Sequence, residues 1–193
     1  MSIRVVIAED EAIIRLDLKE TLEEEGYEVV GETGRGDKAV DLVRELRPDL
    51  AILDIKMPGM DGIEAARLIT KDRICGVLVL TAFSQREVIE QARDAGALAY
   101  LVKPFQKTDL VPAIEVAIAR FREMQALNGE VDALEEQLET RKSIDRAKGI
   151  LMKAMNLSEP ESFSWIQKTA MDRRISMKEV ANSIISPEAA PDR

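Results

Sequence analysis

The chain has 193 residues and a hydrophobic fraction of 46%, which suits one large domain or two small ones with real cores. It has no histidine, which excludes histidine metal ligands and histidine general bases, and its single cysteine excludes an internal disulfide. The net charge is −7 over residues 1–120, −5 over 121–139 and +4 over 140–185, so the basic C-terminal part could face a polyanion. No apolar run of 18 residues occurs, and we expect a cytoplasmic protein without a membrane segment.

The first 120 residues alternate short β-rich runs with helical patterns. This alternation predicts an α/β domain with a five-stranded, parallel, doubly wound sheet of the flavodoxin-like type, whose ligand site lies at the carboxyl ends of the strands. The predicted strands are 3–8, 27–32, 49–53, 77–80 and 98–102. The predicted helices are 11–25, 36–47, 61–72, 84–95 and one from 107 onward.

Four of the predicted strands are followed by polar side chains. Glu9 and Asp10 follow the first, Asp54 the third, Thr81 the fourth and Lys103 the fifth. Phosphoryl transfer to a carboxylate requires that nucleophile, further acids that bind a cation, a hydroxyl and an ammonium. Singly, each has a plainer interpretation, such as a helix N-cap for Asp10. Together they predict a phosphoryl-transfer site.

The acidic residues of this set would suit Mg²⁺, which prefers hard oxygen ligands. We expect Asp10 and Asp54 as ligands, Glu9 as a ligand directly or through water, and the backbone carbonyl of Lys56 as a further oxygen. Lys103 would pair with the phosphoryl group as a point charge.

Residues 9–10, 54–62, 81–82 and 103–105 resemble the receiver domain of two-component response regulators. The resemblance covers about residues 3–120. It implies that a sensor histidine kinase phosphorylates Asp54, that Thr81 and Lys103 form the switch pair, and that Tyr100 is the aromatic switch residue. It also implies a cis peptide bond between Lys103 and Pro104.

The last helix of this domain continues past residue 120. Leu127, Val131, Leu134 and Leu138 step by 4, 3 and 4, which predicts a helical, coiled-coil-like linker over residues 121–139. Two hypotheses are consistent with this pattern. The linker could pair two phosphorylated chains as a homodimer, or it could be a lone amphipathic helix that packs on its own domain. Asn128 and Gly129 could break the helix.

Residues 140–186 carry helical patterns without strands, and three short helices are expected. Ser158 with Glu161 and Ser176 with Glu179 have capping-box spacing. Residues 187–193 are expected to be a disordered tail.

Two segments of this basic part, 141–152 and 163–174, resemble the first two helices of the ANTAR domain, an RNA-binding antiterminator module. The resemblance implies binding to paired RNA hairpins through their loop bases. Trp165 is expected in core or edge packing rather than base stacking. The expected RNA-binding residues are Arg141, Lys142, Arg146, Ala147, Lys148, Gly149, Arg173 and Arg174.

These patterns predict a response regulator that binds paired hairpins in nascent transcripts and prevents termination, and not an enzyme. One alternative is a DNA-binding transcriptional regulator with the same receiver, although no helix-turn-helix pattern is evident. A second is a protein-interaction module without a nucleic acid role.

Overall fold

The computed structural model describes residues 2–82 and 86–186, and the chain divides into two compact units, Met1–Gln125 and Ala126–Arg193. Within the described residues, no helix combines the length and the apolar character needed to cross a membrane. The tail predicted over 187–193 lies outside the described residues.

The first unit is built on one five-stranded sheet. All pairings are parallel and the strand order is β2-β1-β3-β4-β5, which confirms the predicted flavodoxin-like fold. The central strands β3 and β4 are buried throughout, as expected for apolar runs covered on both faces. The strands are β1 Arg4–Ala8, β2 Glu28–Thr33, β3 Leu50–Asp54, β4 Gly76–Thr81 and β5 Ala99–Val102.

Four helices connect these strands, and separate hydrophobic cores fill the two faces of the sheet. The helices are α1 Ala12–Glu24, α2 Gly36–Leu46, α3 Gly62–Lys71 and α4 Arg86–Asp94. The predicted start of the fourth helix, at residue 84, falls outside the described residues.

The register of the sheet brings the polar strand ends to one edge. Ala8 pairs with Leu53, Asp54 with Leu80, and Thr81 with Val102. The residues that follow these pairs, including Glu9 and Lys103, therefore leave the sheet at its carboxyl edge.

One helix, α5, runs from Lys107 to Met155 and has 49 residues. The helix runs without interruption through Asn128 and Gly129, where the sequence left a break open. The first helix of the C-terminal part is the end of α5 rather than the separate short helix that was expected. A glycine within a helix costs only about 1 kcal/mol relative to alanine, which neighbouring turns can offset.

The second unit packs the end of α5 against α6, Glu159–Arg173, and α7, Met177–Ile185. Both predicted capping boxes are formed, at Ser158 and at Ser176. Trp165 is 37% exposed, so it lies at the edge of the bundle rather than in its interior. The core of this unit consists of Ala147, Leu151, Ile166, Ala170, Val180 and Ala181.

Candidate functional site

Three carboxylates meet at the carboxyl edge of the sheet. One carboxylate oxygen each from Glu9, Asp10 and Asp54 lies within 4.8 Å of the others. Glu9 and Asp54 are buried, whereas Asp10 is exposed. Hard oxygen ligands on a solvent-accessible edge suit a divalent cation that keeps several waters, so these residues fit Mg²⁺.

Lys103 bridges the two buried carboxylates. Its Nζ lies 2.5 Å from Oε2 of Glu9 and 2.6 Å from Oδ1 of Asp54. The Lys103 side chain is only 13% exposed, so water screens these contacts weakly. The bridge places a cation directly beside the carboxylate that is the candidate nucleophile.

Burial and the neighbouring charges at this edge change the pKa values of Glu9 and Lys103. Burial raises the pKa of the Glu9 carboxyl above its usual value, the hydrogen bond from Lys103 offsets part of this effect, and the charge of Asp54 adds to it. Burial lowers the pKa of Lys103, but the hydrogen bonds to Asp54 and Glu9 outweigh burial and raise it overall. Three carboxylates beside the one ammonium of Lys103 leave excess negative charge at this edge, which a bound cation would relieve.

The loop after β3 holds Asp54 and shapes a small cleft. The backbone N–H of Lys56 donates to Oδ2 of Asp54 at 2.9 Å. A Cβ on Gly62 would come within 2.0 Å of the Asp54 carbonyl oxygen, so this close approach requires glycine. A cleft of about 170 Å³ opens here. It is lined by Asp10, Glu11, Asp54, Ile55, Lys56, Ala82 and Lys103.

The two expected switch residues lie at or near this edge on neighbouring strands. Thr81 ends β4 and is 1% exposed, and its carbonyl accepts a hydrogen bond from the Lys103 backbone N–H at 2.7 Å. Tyr100 lies on β5 and is 45% exposed. The peptide bond between Lys103 and Pro104 is cis, as the resemblance implied.

One residue of the site was missed in the sequence. Arg15 donates from its guanidinium to the Glu9 carbonyl at 2.5 Å and so fixes the turn between β1 and α1. Its position one turn after Glu11, the N-cap of α1, was the available signal.

The second unit exposes most of the basic residues predicted to bind RNA. Arg141, Lys142 and Arg146 are exposed on α5, and Arg173 and Arg174 are exposed at the end of α6. Gly149 is half-buried, and a Cβ added to it would meet no atom within 4 Å. Packing within this unit therefore does not explain the glycine.

Two of the predicted RNA-binding residues have other roles in the structure. Ala147 is 0% exposed and belongs to the bundle core, so its expected place on the RNA face was wrong. Lys148 is 15% exposed, with Nζ at 2.7 Å from Asp145 and 2.8 Å from Glu159. It therefore connects α5 to the first turn of α6.

Comparisons with known proteins agree with this geometry. The profile of the response regulator receiver domain matches residues 5–115, and that of the ANTAR domain matches residues 132–185. The transcriptional regulatory protein PdtaR of Mycobacterium tuberculosis is 58% identical over 188 residues, which are 97% of this chain and 92% of PdtaR.

Shorter relatives match the first unit. The chemotaxis protein CheY of Thermotoga maritima is 41% identical over 59% of this chain and 96% of its own length. The solved receiver domain of the response regulator NarL from M. tuberculosis superposes with a TM-score of 0.59 at 31% identity, over 61% of this chain and 97% of that one.

Neither matched domain family is an enzyme family. The chain belongs to the two-component response regulators that join a receiver domain to an ANTAR domain, the RNA-binding module of transcription antitermination.

Proposed function

We propose that Asp54 accepts a phosphoryl group from a sensor histidine kinase. The observation that carries this proposal is the pairing of Asp54 with Lys103 at 2.6 Å, beside two further carboxylates and an open cleft. The carboxylate attacks the phosphorus, the bond from phosphorus to the kinase histidine breaks, and the imidazole leaves with the electron pair. Lys103 remains to bind the transferred oxygens.

Glu9, Asp10, Asp54 and the backbone carbonyl of Lys56 would hold Mg²⁺, and the ion would neutralise charge on the phosphoryl oxygens. The support is the cluster of three carboxylates, with one oxygen of each within 4.8 Å of the others. The backbone N–H of Ala82 is proposed to donate to a phosphoryl oxygen, and Ala82 lines the same cleft.

Thr81 and Tyr100 would convert the modification into a change of surface. A phosphoryl group adds negative charge, and Thr81 would move toward its oxygens. The half-exposed Tyr100 ring would then turn inward into the vacated space. The affected surface includes the N-terminal part of α5, the helix that continues into the second unit.

The second unit would bind paired RNA hairpins through its exposed basic residues. Arg141, Lys142, Arg146, Arg173 and Arg174 are proposed to contact phosphates, and the open surface at Gly149 is proposed to admit a loop base. A DNA-binding output is not favoured, because the matched output domain is ANTAR.

The linker is proposed to pair two chains when the receivers are phosphorylated. Its exposed apolar residues form a feature that we call the linker stripe: Met124, Leu127, Val131, Leu134 and Leu138. Each side chain is about half exposed, so pairing would gain roughly 10 kcal/mol for both chains together at about 1.5–3 kcal/mol per full side chain. Association costs about 4–15 kcal/mol, so the linker stripe alone gives a marginal dimer.

The proposed domains are the receiver over residues 1–120, the linker over 121–139 and the ANTAR domain over 140–186. The first boundary lies near the division between the compact units at Gln125. The ANTAR profile begins at residue 132, within the linker. We propose that the protein acts in the cytoplasm, where kinase phosphoryl groups and nascent transcripts meet.

The test measures RNA binding by the full chain with a two-hairpin RNA, with and without beryllofluoride and Mg²⁺ as a phosphoryl analogue. Wild type should bind more tightly with the analogue, whereas Asp54→Asn should not respond. Duplex DNA of equal charge should bind weakly at the same salt concentration. Equal RNA binding in all states, or preference for the duplex DNA, would contradict the proposal.

A further inference from the structure

The spacing of the linker stripe assigns a heptad position to each residue around it. Met124, Val131 and Leu138 take a positions, and Leu127 and Leu134 take d positions. All five side chains are 49–63% exposed. Val131 at the central a position, with leucine at both d positions, is the combination that favours two parallel strands. The partner that fits this pattern is a second copy of the chain.

The same register places like charges on both sides of the stripe. Glu130 falls at a g position and Glu135 at the following e position. In a parallel pair, g residues lie beside the e residues of the other helix, so Glu130 would face Glu135 of the partner subunit. Two such glutamate contacts would occur in each dimer.

Neither glutamate has a salt bridge to any described residue. The acids of this segment that do are Glu136, paired with Lys178, and Glu139, paired with Lys142. No ion pair among the described residues therefore offsets the negative charge of Glu130 or Glu135 at the proposed interface.

The repulsion is confined to these two positions. The flanking g-to-e pairs join Glu123 with Asn128 and Gln137 with Lys142, and neither opposes like charges. In the antiparallel register that pairs Val131 with Leu134, Glu130 would instead lie beside Gln137 and Glu135 beside Asn128. In that register the two glutamates do not oppose each other.

We propose that Glu130 and Glu135 form an electrostatic brake that keeps the linker stripes of two chains apart until their receivers associate. This inference rests on the proposed dimer and specifies its orientation and its regulation. Association of two receivers raises the effective concentration of the linkers, and this overcomes a brake of modest strength. The brake makes pairing dependent on the receiver rather than on the linker alone.

The test exchanges charges in the full chain. Glu130→Lys or Glu135→Lys alone converts both repulsive contacts into attractive ones, and each should lower the dimer Kd of the unphosphorylated protein about tenfold. The double variant opposes lysine with lysine and should return to near the wild-type Kd. Sedimentation velocity over a concentration series measures this.

Asp132→Lys is the matched control, because it changes the net charge equally at an exposed b position away from the stripe. Its Kd should stay near the wild-type value. Added salt should tighten the wild-type dimer by screening repulsion and should weaken the Glu130→Lys dimer by screening attraction. Single variants that match Asp132→Lys, or a double variant that pairs more tightly than either single one, would overturn the brake.

The outcome separates this inference from the proposed function. If wild type dimerises with beryllofluoride but the single variants match the control, the brake is wrong and phosphorylation-linked pairing remains. If the single variants dimerise but wild type never responds to beryllofluoride, the brake holds and phosphorylation-linked pairing is wrong.

Discussion

Lys103 and Asp54 form an ion pair with 2.6 Å between Nζ and Oδ1, and the same ammonium lies 2.5 Å from Glu9. One cation thus balances two buried carboxylates that the sheet register forces together. Phosphorylation would replace the Asp54 carboxylate with a more highly charged group at the same place. Lys103 therefore both stabilises the resting site and supplies charge for the phosphorylated one.

Replacing Lys103 with alanine should destabilise the protein in the absence of divalent cations. Loss of one partner from a buried ion pair costs about 3–5 kcal/mol. Because Lys103 retains 13% exposure, we expect a loss of about 2–3 kcal/mol. Excess Mg²⁺ should restore part of this loss, since it supplies positive charge to the same carboxylates. Thermal unfolding with chelator and with Mg²⁺ measures both effects.

Lys107→Ala is the control for this prediction. Lys107 pairs with Glu24 and Glu25 but is 48% exposed, so its removal should cost less than about 1 kcal/mol. Its Mg²⁺ response should equal that of wild type. An equal Mg²⁺ response in Lys103→Ala would show that the carboxylate cluster does not hold the ion.

The phenol of Tyr27 should ionise at unusually high pH. Burial raises its pKa to about 12, assisted by the hydrogen bond that its hydroxyl donates to Glu115 at 2.8 Å. Because the folded pKa is raised, the associated stability is present below the ordinary value of about 10 and is lost as pH rises through about 12. The stability advantage of wild type over Tyr27→Phe should therefore shrink between these values.

Absorbance titration of the tyrosinate band provides the direct measurement. Wild type should show an ionisation near pH 12 that is missing in Tyr27→Phe and kept in Tyr100→Phe. Retention of this ionisation in Tyr27→Phe would disprove the assignment. A positive result would establish that Tyr27, the residue before β2, contacts Glu115 of α5 in solution.

The sequence predicted the sheet and its polar edge because local patterns determine both. Apolar runs such as residues 50–53 favour burial, and parallel connections bring the carboxyl ends of the strands together. The bridge from Lys103 to Glu9 could not be predicted, since it joins residues 94 positions apart and depends on rotamers at the assembled edge. The hydrogen bond from Arg15 to the Glu9 carbonyl could not be predicted either, because it depends on the path of the turn between β1 and α1.

In the C-terminal part, the sequence could not show which small residues pack in the core and which lie on the surface. Ala147 and Gly149 are both small, and small residues serve close helix packing as well as close approach of a base. Only the packed bundle shows which role each residue has: Ala147 is 0% exposed and packs in the core, whereas Gly149 lies beside open space. The continuity of α5 through Gly129 was also beyond local signals, because a single glycine lowers helix propensity without deciding the outcome.

Lys148 should contribute to the stability of the second unit at neutral pH, and this contribution should be lost in acid. Its hydrogen bond holds the pKa of Asp145 below the ordinary value of 3.8. With a lowered folded pKa, this stability is present above 3.8 and is lost as pH falls through the folded value. Lys148→Met should melt below wild type at neutral pH, and the difference should shrink as pH falls below 3.8.

Circular dichroism melts over a pH series test this expectation. Lys153→Met, on the same helix, is the control, because Lys153 is exposed and has no salt bridge among the described residues. Its melting temperature should follow that of wild type at every pH. A constant difference between Lys148→Met and wild type across the series would exclude the contact with Asp145 as its origin.

Gly149→Ala should change stability and RNA binding in opposite directions. Alanine is favoured over glycine in a helix by about 1 kcal/mol, and the added Cβ meets no atom within 4 Å, so the protein should become more stable. If a loop base approaches the helix at this point, the same methyl group obstructs it and RNA affinity falls.

Gly129→Ala isolates the effect of helix propensity, because Gly129 also lies in α5 with no atom within 4 Å of its Cβ position. Both variants should gain stability in thermal melts, and only Gly149→Ala should lose affinity for the two-hairpin RNA. If both variants keep the wild-type affinity, no base contacts Gly149, and the exposed arginines remain as the proposed RNA-binding surface.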